Sequence, residues 1–359
     1  MSDLASALAR RIAATGPITL ADYMAECLLN PQHGYYATRD PLGAGGDFTT
    51  APEISQMFGE LIGLCLAQNW LDQGSPKAAL AEAGPGRGTL MADIWRATRA
   101  VPGFHARVQV HLVEASPVLR AAQAQRLAGV PVTWHDSVDA LPETPLWFVA
   151  NEFFDALPIR QFVRAGGGWR EVVVGLDGGN LARGLTPPAP LADLAHRLAD
   201  TREGEVVETC PAAGPVMQAL QARIARHGGA ALIVDYGGWR SRGDTFQAVK
   251  DHAFADPFAD PGAADLTAHV DFEALARSAP GLTASALTPQ GDLLRALGID
   301  ARAARLAQSL TGEALRQHKA AHRRLTDGAE MGTVFKALAL VRAGAPLPPG
   351  FAPAPKAAE

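Results

Sequence analysis

The segment LAEAGPGRGTLMADI (80–94) constrains this chain more than any other. A short apolar run ends near Ala83, Gly84, Gly86 and Gly88 follow, and a helical pattern begins around Thr89. Glycines in such a turn let the backbone bend sharply and approach a ligand without a Cβ in the way. The helix N-terminus beyond them adds oriented N–H groups. A dinucleotide fingerprint would require a third glycine where Thr89 stands, and a phosphate loop would require GKS or GKT. The observed G-x-G-x-G weakens both phosphate readings. S-adenosyl-L-methionine (SAM) needs no diphosphate cradle, only close backbone approach beside its ribose and amino-acid portions. The glycine pattern is thus compatible with SAM, and a turn that binds nothing is the alternative.

The surrounding pattern favours a ligand site. Apolar runs at AALAEAG, VQVHLVEAS, VTWHD and LWFVANEFF alternate with helical segments, the signature of βαβ units and a mostly parallel sheet. The second run delivers Glu114, 28 residues after Gly86, where an acid can accept both ribose hydroxyls; a solvated strand-end carboxylate is the alternative. Asp136, after the third run, can meet an adenine amino group or cap a helix. Glu82 can face the ligand's ammonium or cap the adjoining loop. The fourth run, in LWFVANEFFDALPIRQF (146–162), brings Asn151, Glu152 and Asp155 to the carboxyl edge of the sheet, where open α/β sheets bind ligands. Asn151 can fix a ligand or the backbone through its amide. Two carboxylates in one turn suit a guanidinium, held bidentately with one nitrogen aimed at an electrophilic methyl group. A structural role, with Asp155 capping a turn and Glu152 holding a loop, is the alternative.

The 359 residues allow about two domains, and 48% hydrophobic against 19% charged residues excludes wholesale disorder. A net charge of −5 argues against general affinity for nucleic acid. Four regions are expected: an N-terminal helical and lid region over 1–75, a core over 76–160 and 228–345, an inserted substrate-binding region of antiparallel ribbons and helix over 161–227, and a loose Pro/Ala tail over 346–359. Cys27, Cys65 and Cys210 form no CxxC unit, and the histidines lack compact ligand spacing, so no metal is expected. The N-terminus lacks a secretory pattern and no apolar run reaches transmembrane length, which points to a cytoplasmic protein without a transmembrane segment.

Longer motifs carry a resemblance. HGYY and DPLGAGGDFTTAPEISQMFGE at 33–60, EAGPGRGTLMADI at 82–94, NEFFDALPIRQF at 151–162, IVDYG at 233–237, GDTFQAV at 243–249, DPFADPGAADLTAHVDF at 256–272 and MGTVFKAL at 331–338 resemble the MidA/NDUFAF7-like family. The resemblance runs from about residue 16 to 340. It implies a class I SAM-dependent methyltransferase fold of Rossmann-like type, α/β, with an N-terminal helical lid and an inserted or appended α+β substrate region. It also implies protein arginine methylation, as in mitochondrial members that symmetrically dimethylate an arginine of a respiratory complex I core subunit and support assembly. Without a long presequence, the chain is expected to be a bacterial cytoplasmic member. The resemblance places the cofactor loop at Gly84, Gly86 and Gly88 and the ribose acid at Glu114. By the general arrangement of arginine methyltransferases, the acids after the fourth strand are Glu152 and Asp155.

Two further features bear on the site. The loop GGDFTTAPEIS (45–55) reads as a lid over the methionyl part of SAM, with Gly46 and Asp47 as contacts, or as an elaborate helix cap. His269, in ADLTAHVDF, can shape the acceptor pocket or assist proton removal, or be a structural histidine. The expected reaction is a direct displacement at the methyl carbon, for which orientation is the main task. Two other functions stay open: SAM-dependent methylation of a small molecule or another side chain, and a non-catalytic SAM-binding assembly factor. A helix-rich excursion offers a surface for a homodimer.

Overall fold

A computed structural model describes residues 2–38, 49–250 and 252–355. Its centre is a nine-stranded sheet. Seven strands form the main path: β1 (Ala78–Ala83), β2 (Val108–Val113), β3 (Val132–His135), β4 (Leu146–Asn151), β5 (Gly229–Gly238), β6 (Leu282–Ala284) and β7 (Phe335–Arg342). Their spatial order is β6-β7-β5-β4-β1-β2-β3. Strands β1 to β5 run parallel, while β7 lies antiparallel to β5 and β6. The order reverses between β1 and β4, so a crevice opens at their carboxyl ends, where the candidate acids lie.

The central strands are apolar on both faces because both are covered. Leu80, Val110, Trp147, Val149 and Leu232 pack with helices α1 (Gln56–Asp72) and α2 (Thr89–Ala97) on one side. Ala79, Ala81, Phe148, Ala150 and Ile233 pack on the other with Met217, Leu220 and Ile224 of α3 (Ala213–His227). This double burial gives near-continuous hydrophobic runs in place of alternation. Helix α1 is buried almost all round, as its composition suggests. Gly63 lets it lie directly on α2: a Cβ there would stand 2.8 Å from the Ile94 Cα.

The segment after β4 forms the expected antiparallel layer. Arg160–Ala165 pairs with Gly168–Asp177, which pairs with Asn180–Leu185. Ile18–Thr19 and Val206–Thr209 join the same sheet. Helix α3 packs on the central sheet rather than on these hairpins, so it sits with the core and not with the region expected over 161–227. The excursion after β5 folds as a small sheet of Gln247–Lys250, Ala253–Ala255 and Asp265–Thr267. Phe246 and Leu266 of that excursion pack against Leu8, Tyr23 and Met24 from the N-terminal helices Asp3–Thr15 and Leu20–Leu29.

The C-terminal segment corrects the expectation of a loose tail. Leu347 and Phe351 pack against the core, and Asn69 Nδ2 donates to the Pro346 carbonyl at 2.9 Å. Ala286 N–H donates to the Ala352 carbonyl at 2.8 Å. Proline removes donors but leaves carbonyls free to accept, so a Pro-rich strap can dock through its oxygens. No helix among the described residues is long and apolar enough to cross a membrane.

Candidate active site

The glycine loop leaves β1 with three left-handed residues: Gly84 at φ +63°, Gly86 at +52° and Gly88 at +80°. Gly84 N–H donates to the Val113 carbonyl at 3.1 Å, tying the loop to β2. A Cβ on Gly84 would stand 2.9 Å from the Phe153 ring, so this turn and the one after β4 require each other's shape. Gly84 and Gly86 line a cavity of about 930 Å³, together with Glu82, Glu114, Asp136, Asn151, Glu152, Asp155 and His269. Gly88 does not line it; this residue is the N-cap of α2 and packs against Gln123. Gly46 and Asp47 lie outside the described residues, while Thr49, Thr50 and Glu53 of the same loop reach the cavity wall.

At the β2 end, Glu114 accepts Ser116 N–H through Oε1 at 2.8 Å and the Gln123 amide through Oε2 at 3.1 Å. Gln123, on the helix Pro117–Arg126, also donates to the Gly86 carbonyl at 2.8 Å and accepts from Trp134 Nε1 at 2.9 Å. One fully buried amide therefore fixes both the loop and the expected ribose acid. Burial raises the Glu114 carboxyl above its ordinary value. Asp136 lines the cavity but has an exposed side chain paired with Arg120 at 2.5 Å. It is thus held by a cation beside the site.

Glu82 is buried in β1, and burial pushes its carboxyl up to about 8. Its Oε2 has no hydrogen-bond partner among the described residues, and neither has Asn151 Oδ1 or Asp155 Oδ1. Three buried acceptors facing one cavity call for donors or positive charge from a ligand. SAM supplies ribose hydroxyls, an ammonium and a sulfonium, so this donor-poor wall fits it. Glu114 would take the hydroxyls and Glu82 the ammonium.

The acidic turn after β4 is backbone-strained. Glu152 has φ +52°, a conformation that non-glycine residues rarely adopt, and such strain concentrates at functional sites. Its Oε1 accepts Ala51 N–H at 3.1 Å and the Asn151 amide at 3.0 Å. Burial first, and Asp155 second, push its carboxyl up to about 7. Neither Glu152 nor Asp155 has an ion-pair partner among the described residues. His269 lies at the cavity edge with its ring against Tyr236, centroids 5.4 Å apart, and burial lowers its pKa.

Residue-level reading left several groups without a role. Asp235 and Tyr236 at the end of β5 flank the acidic turn: Asp235 Oδ2 accepts Phe154 N–H at 3.0 Å and Asp155 N–H at 3.3 Å. A lone carboxylate closing the apolar run AALIVDYG was the available signal. Gln123 carried only a weak one, a polar residue on a helix face. Tyr36 lines the cavity and donates to Asp265 at 2.9 Å, whereas its neighbour Tyr35 is fully buried in the N-terminal core.

The comparisons agree with this geometry. Residues 61–289 match the family described as "Putative S-adenosyl-L-methionine-dependent methyltransferase". The Danio rerio protein arginine methyltransferase NDUFAF7, mitochondrial, is 42% identical over 82% of this chain and 76% of its own length. The Homo sapiens protein of the same name is 41% identical over 81% and 72%. A Burkholderia thailandensis protein solved with S-adenosyl-homocysteine bound is 32% identical, covers 97% of this chain and 93% of its own, and superposes with a TM-score of 0.84. The vertebrate and Drosophila relatives are mitochondrial proteins, which overturns the cytoplasmic location expected from the N-terminus. The fold is thus the class I Rossmann-like methyltransferase fold, and SAM is the cofactor. Given a family model over most of the chain and relatives matched over four fifths of it, this chain belongs to the family of SAM-dependent methyltransferases that includes the NDUFAF7 proteins.

Proposed function

We propose that this protein is a SAM-dependent protein arginine N-methyltransferase whose acceptor is an arginine of a respiratory complex I core subunit, dimethylated symmetrically in support of assembly. The relatives named as protein arginine methyltransferases support the acceptor type. The observation that carries the reading is a desolvated acidic wall, Glu152 and Asp155, without ion-pair partners among the described residues and lining the same cavity as the glycine loop. An arginine is the cation that can satisfy two such carboxylates at once.

SAM supplies an electrophilic methyl group on a sulfonium that leaves as a neutral thioether. The chain's own residues do the rest. Gly84 and Gly86 would give the cofactor room against the backbone, Glu114 and Asp136 would hold its adenosine, and Glu82 and Asn151 its amino-acid part. Gly88 acts one step back, by starting α2. Glu152 holds the guanidinium and directs one nitrogen, a positioning effect of the kind that dominates such displacements. Asp155 shares the guanidinium charge, and His269 shapes the outer wall of the acceptor pocket.

The test is transfer from methyl-labelled SAM into respiratory membranes or free complex I subunits, with mass mapping of the labelled residue. The expected product is dimethylarginine at one site on a core subunit. Label in a metabolite or on another side chain would contradict the reading.

A further inference from the structure

Arginine is protonated at neutral pH, so the nitrogen that gains a methyl must lose a proton. In the balanced step, an N–C bond forms, the S–CH3 bond breaks with its electron pair going to sulfur, and one N–H proton leaves. The methylated guanidinium remains a monocation. A group beside that nitrogen must take the proton.

Asp155 lines the cavity where that nitrogen would sit, and Asp235 lies behind it, bonded to its backbone. Asp235 is fully buried, and its two oxygens accept backbone N–H groups of Phe154, Asp155 and Tyr236. Asp155 is 6% exposed, lines the cavity, and has no partner for Oδ1 among the described residues. The Tyr236 hydroxyl favours the ionised form of the Asp155 carboxyl. Other charged or titratable groups converge here from several elements: Glu152 from the same turn, Tyr236 from β5, Asp265 from the small sheet, Tyr36 from the N-terminal region and Cys210 from the hairpin side. Arg324, from the helix Gly312–Thr326, lines the cavity and acts on Glu152. Two carboxyls in one dry space cannot both ionise freely, and they titrate as a pair.

We propose that Asp155 and Asp235 form a one-proton pair that releases its proton when the acceptor guanidinium enters and takes one back as the nitrogen is methylated. Asp155 is the proton acceptor. Asp235 is its positioning residue, holding the Phe154–Asp155 backbone and keeping its partner basic. The inference rests on the arginine reading above.

The test is calorimetric titration of the S-adenosyl-homocysteine-saturated protein with ethylguanidinium, in buffers of different ionisation heat across a pH series. Wild type is expected to release a large fraction of a proton per guanidinium bound, most strongly around the value near 6 to which burial raises Asp155. Asp155→Asn is expected to bind more weakly with that release lost. Asp235→Asn is expected to keep it but shift it to lower pH, because Asp155 no longer faces a second carboxyl. Wild-type binding without proton release, release that survives Asp155→Asn, or its loss in His269→Gln alone would overturn the inference. Absence of saturable ethylguanidinium binding would overturn the arginine reading itself, and this inference with it. Should the variants fail to retain S-adenosyl-homocysteine, carboxyl 13C resonances of wild type decide. An aspartate that titrates near pH 6 and moves acidward on ethylguanidinium binding is expected; unmoved resonances overturn the inference.

Discussion

Glu82 and Gln123 show how single residues set up the cofactor side of the cavity. The folded-state pKa of Glu82 is raised by burial from 4.5 to about 8, so its ionised form is disfavoured inside the fold. By linkage, a raised acid costs stability as pH climbs from the unfolded value through the folded one. Glu82→Gln should therefore gain stability relative to wild type as pH rises from about 5 to 8, with the two converging at the acid end. Thermal melts of both ligand-free proteins across that range check this; a pH-independent difference would contradict it. Gln123→Leu removes the donor to Gly86 and Glu114 and strands Trp134 Nε1. Leaving buried groups unpaired costs about 1–3 kcal/mol, so S-adenosyl-homocysteine affinity should fall by roughly tenfold or more. Ethylguanidinium binding to the cofactor-saturated protein should be far less affected. Gly84 and Gly86 were legible in the sequence because left-handed backbone beside a ligand selects glycine. Gln123 and Asp235 were not, since their importance lies in partners that only the folded sheet brings together.

At the scale of elements, two attachments carry more than composition shows. Glu60 on α1 receives Arg96 of α2 at 2.5 Å and Arg302 of the helix Ile299–Ala307 at 2.6 Å, pinning three helices over the glycine-loop side of the sheet. Burial raises its carboxyl, but hydrogen bonds from Arg302 and Arg96 outweigh that and hold it below the ordinary 4.5. The stability it adds is therefore present above that value and lost as pH falls through the folded pKa. Glu60→Gln should cost about 1–3 kcal/mol in urea unfolding at pH 7, with the difference closing as the carboxyl protonates. The second attachment is the C-terminal strap. Deleting residues 346–359 uncovers Leu347 and Phe351 and takes away the acceptor for Asn69, so the melting temperature should fall by several degrees. A loose tail would leave it unchanged. The strands were readable from sequence because parallel strands buried on both faces are continuous apolar runs. The strap was not, because a Pro/Ala segment looks alike whether its carbonyls meet water or a neighbouring strand. The layer of helix α3 is hidden for a related reason: its apolar face marks burial without naming the sheet that it covers.

For the whole molecule, the consequence of the strand order is that a glycine loop and an acidic turn, far apart in sequence, open into one cavity at the carboxyl edge of the sheet. On the proposed reading, the cofactor side carries hydroxyl and ammonium acceptors, and the acceptor side carries carboxylates without ion-pair partners among the described residues. This division assigns binding and transfer to different residues, so the two should separate on mutation. The most direct measurement is single-turnover methyl transfer to the acceptor arginine by Glu152→Gln, alongside its affinity for S-adenosyl-homocysteine. The account predicts affinity within about threefold of wild type and transfer slowed by about a hundredfold or more. Transfer at the wild-type rate with intact cofactor binding would contradict it.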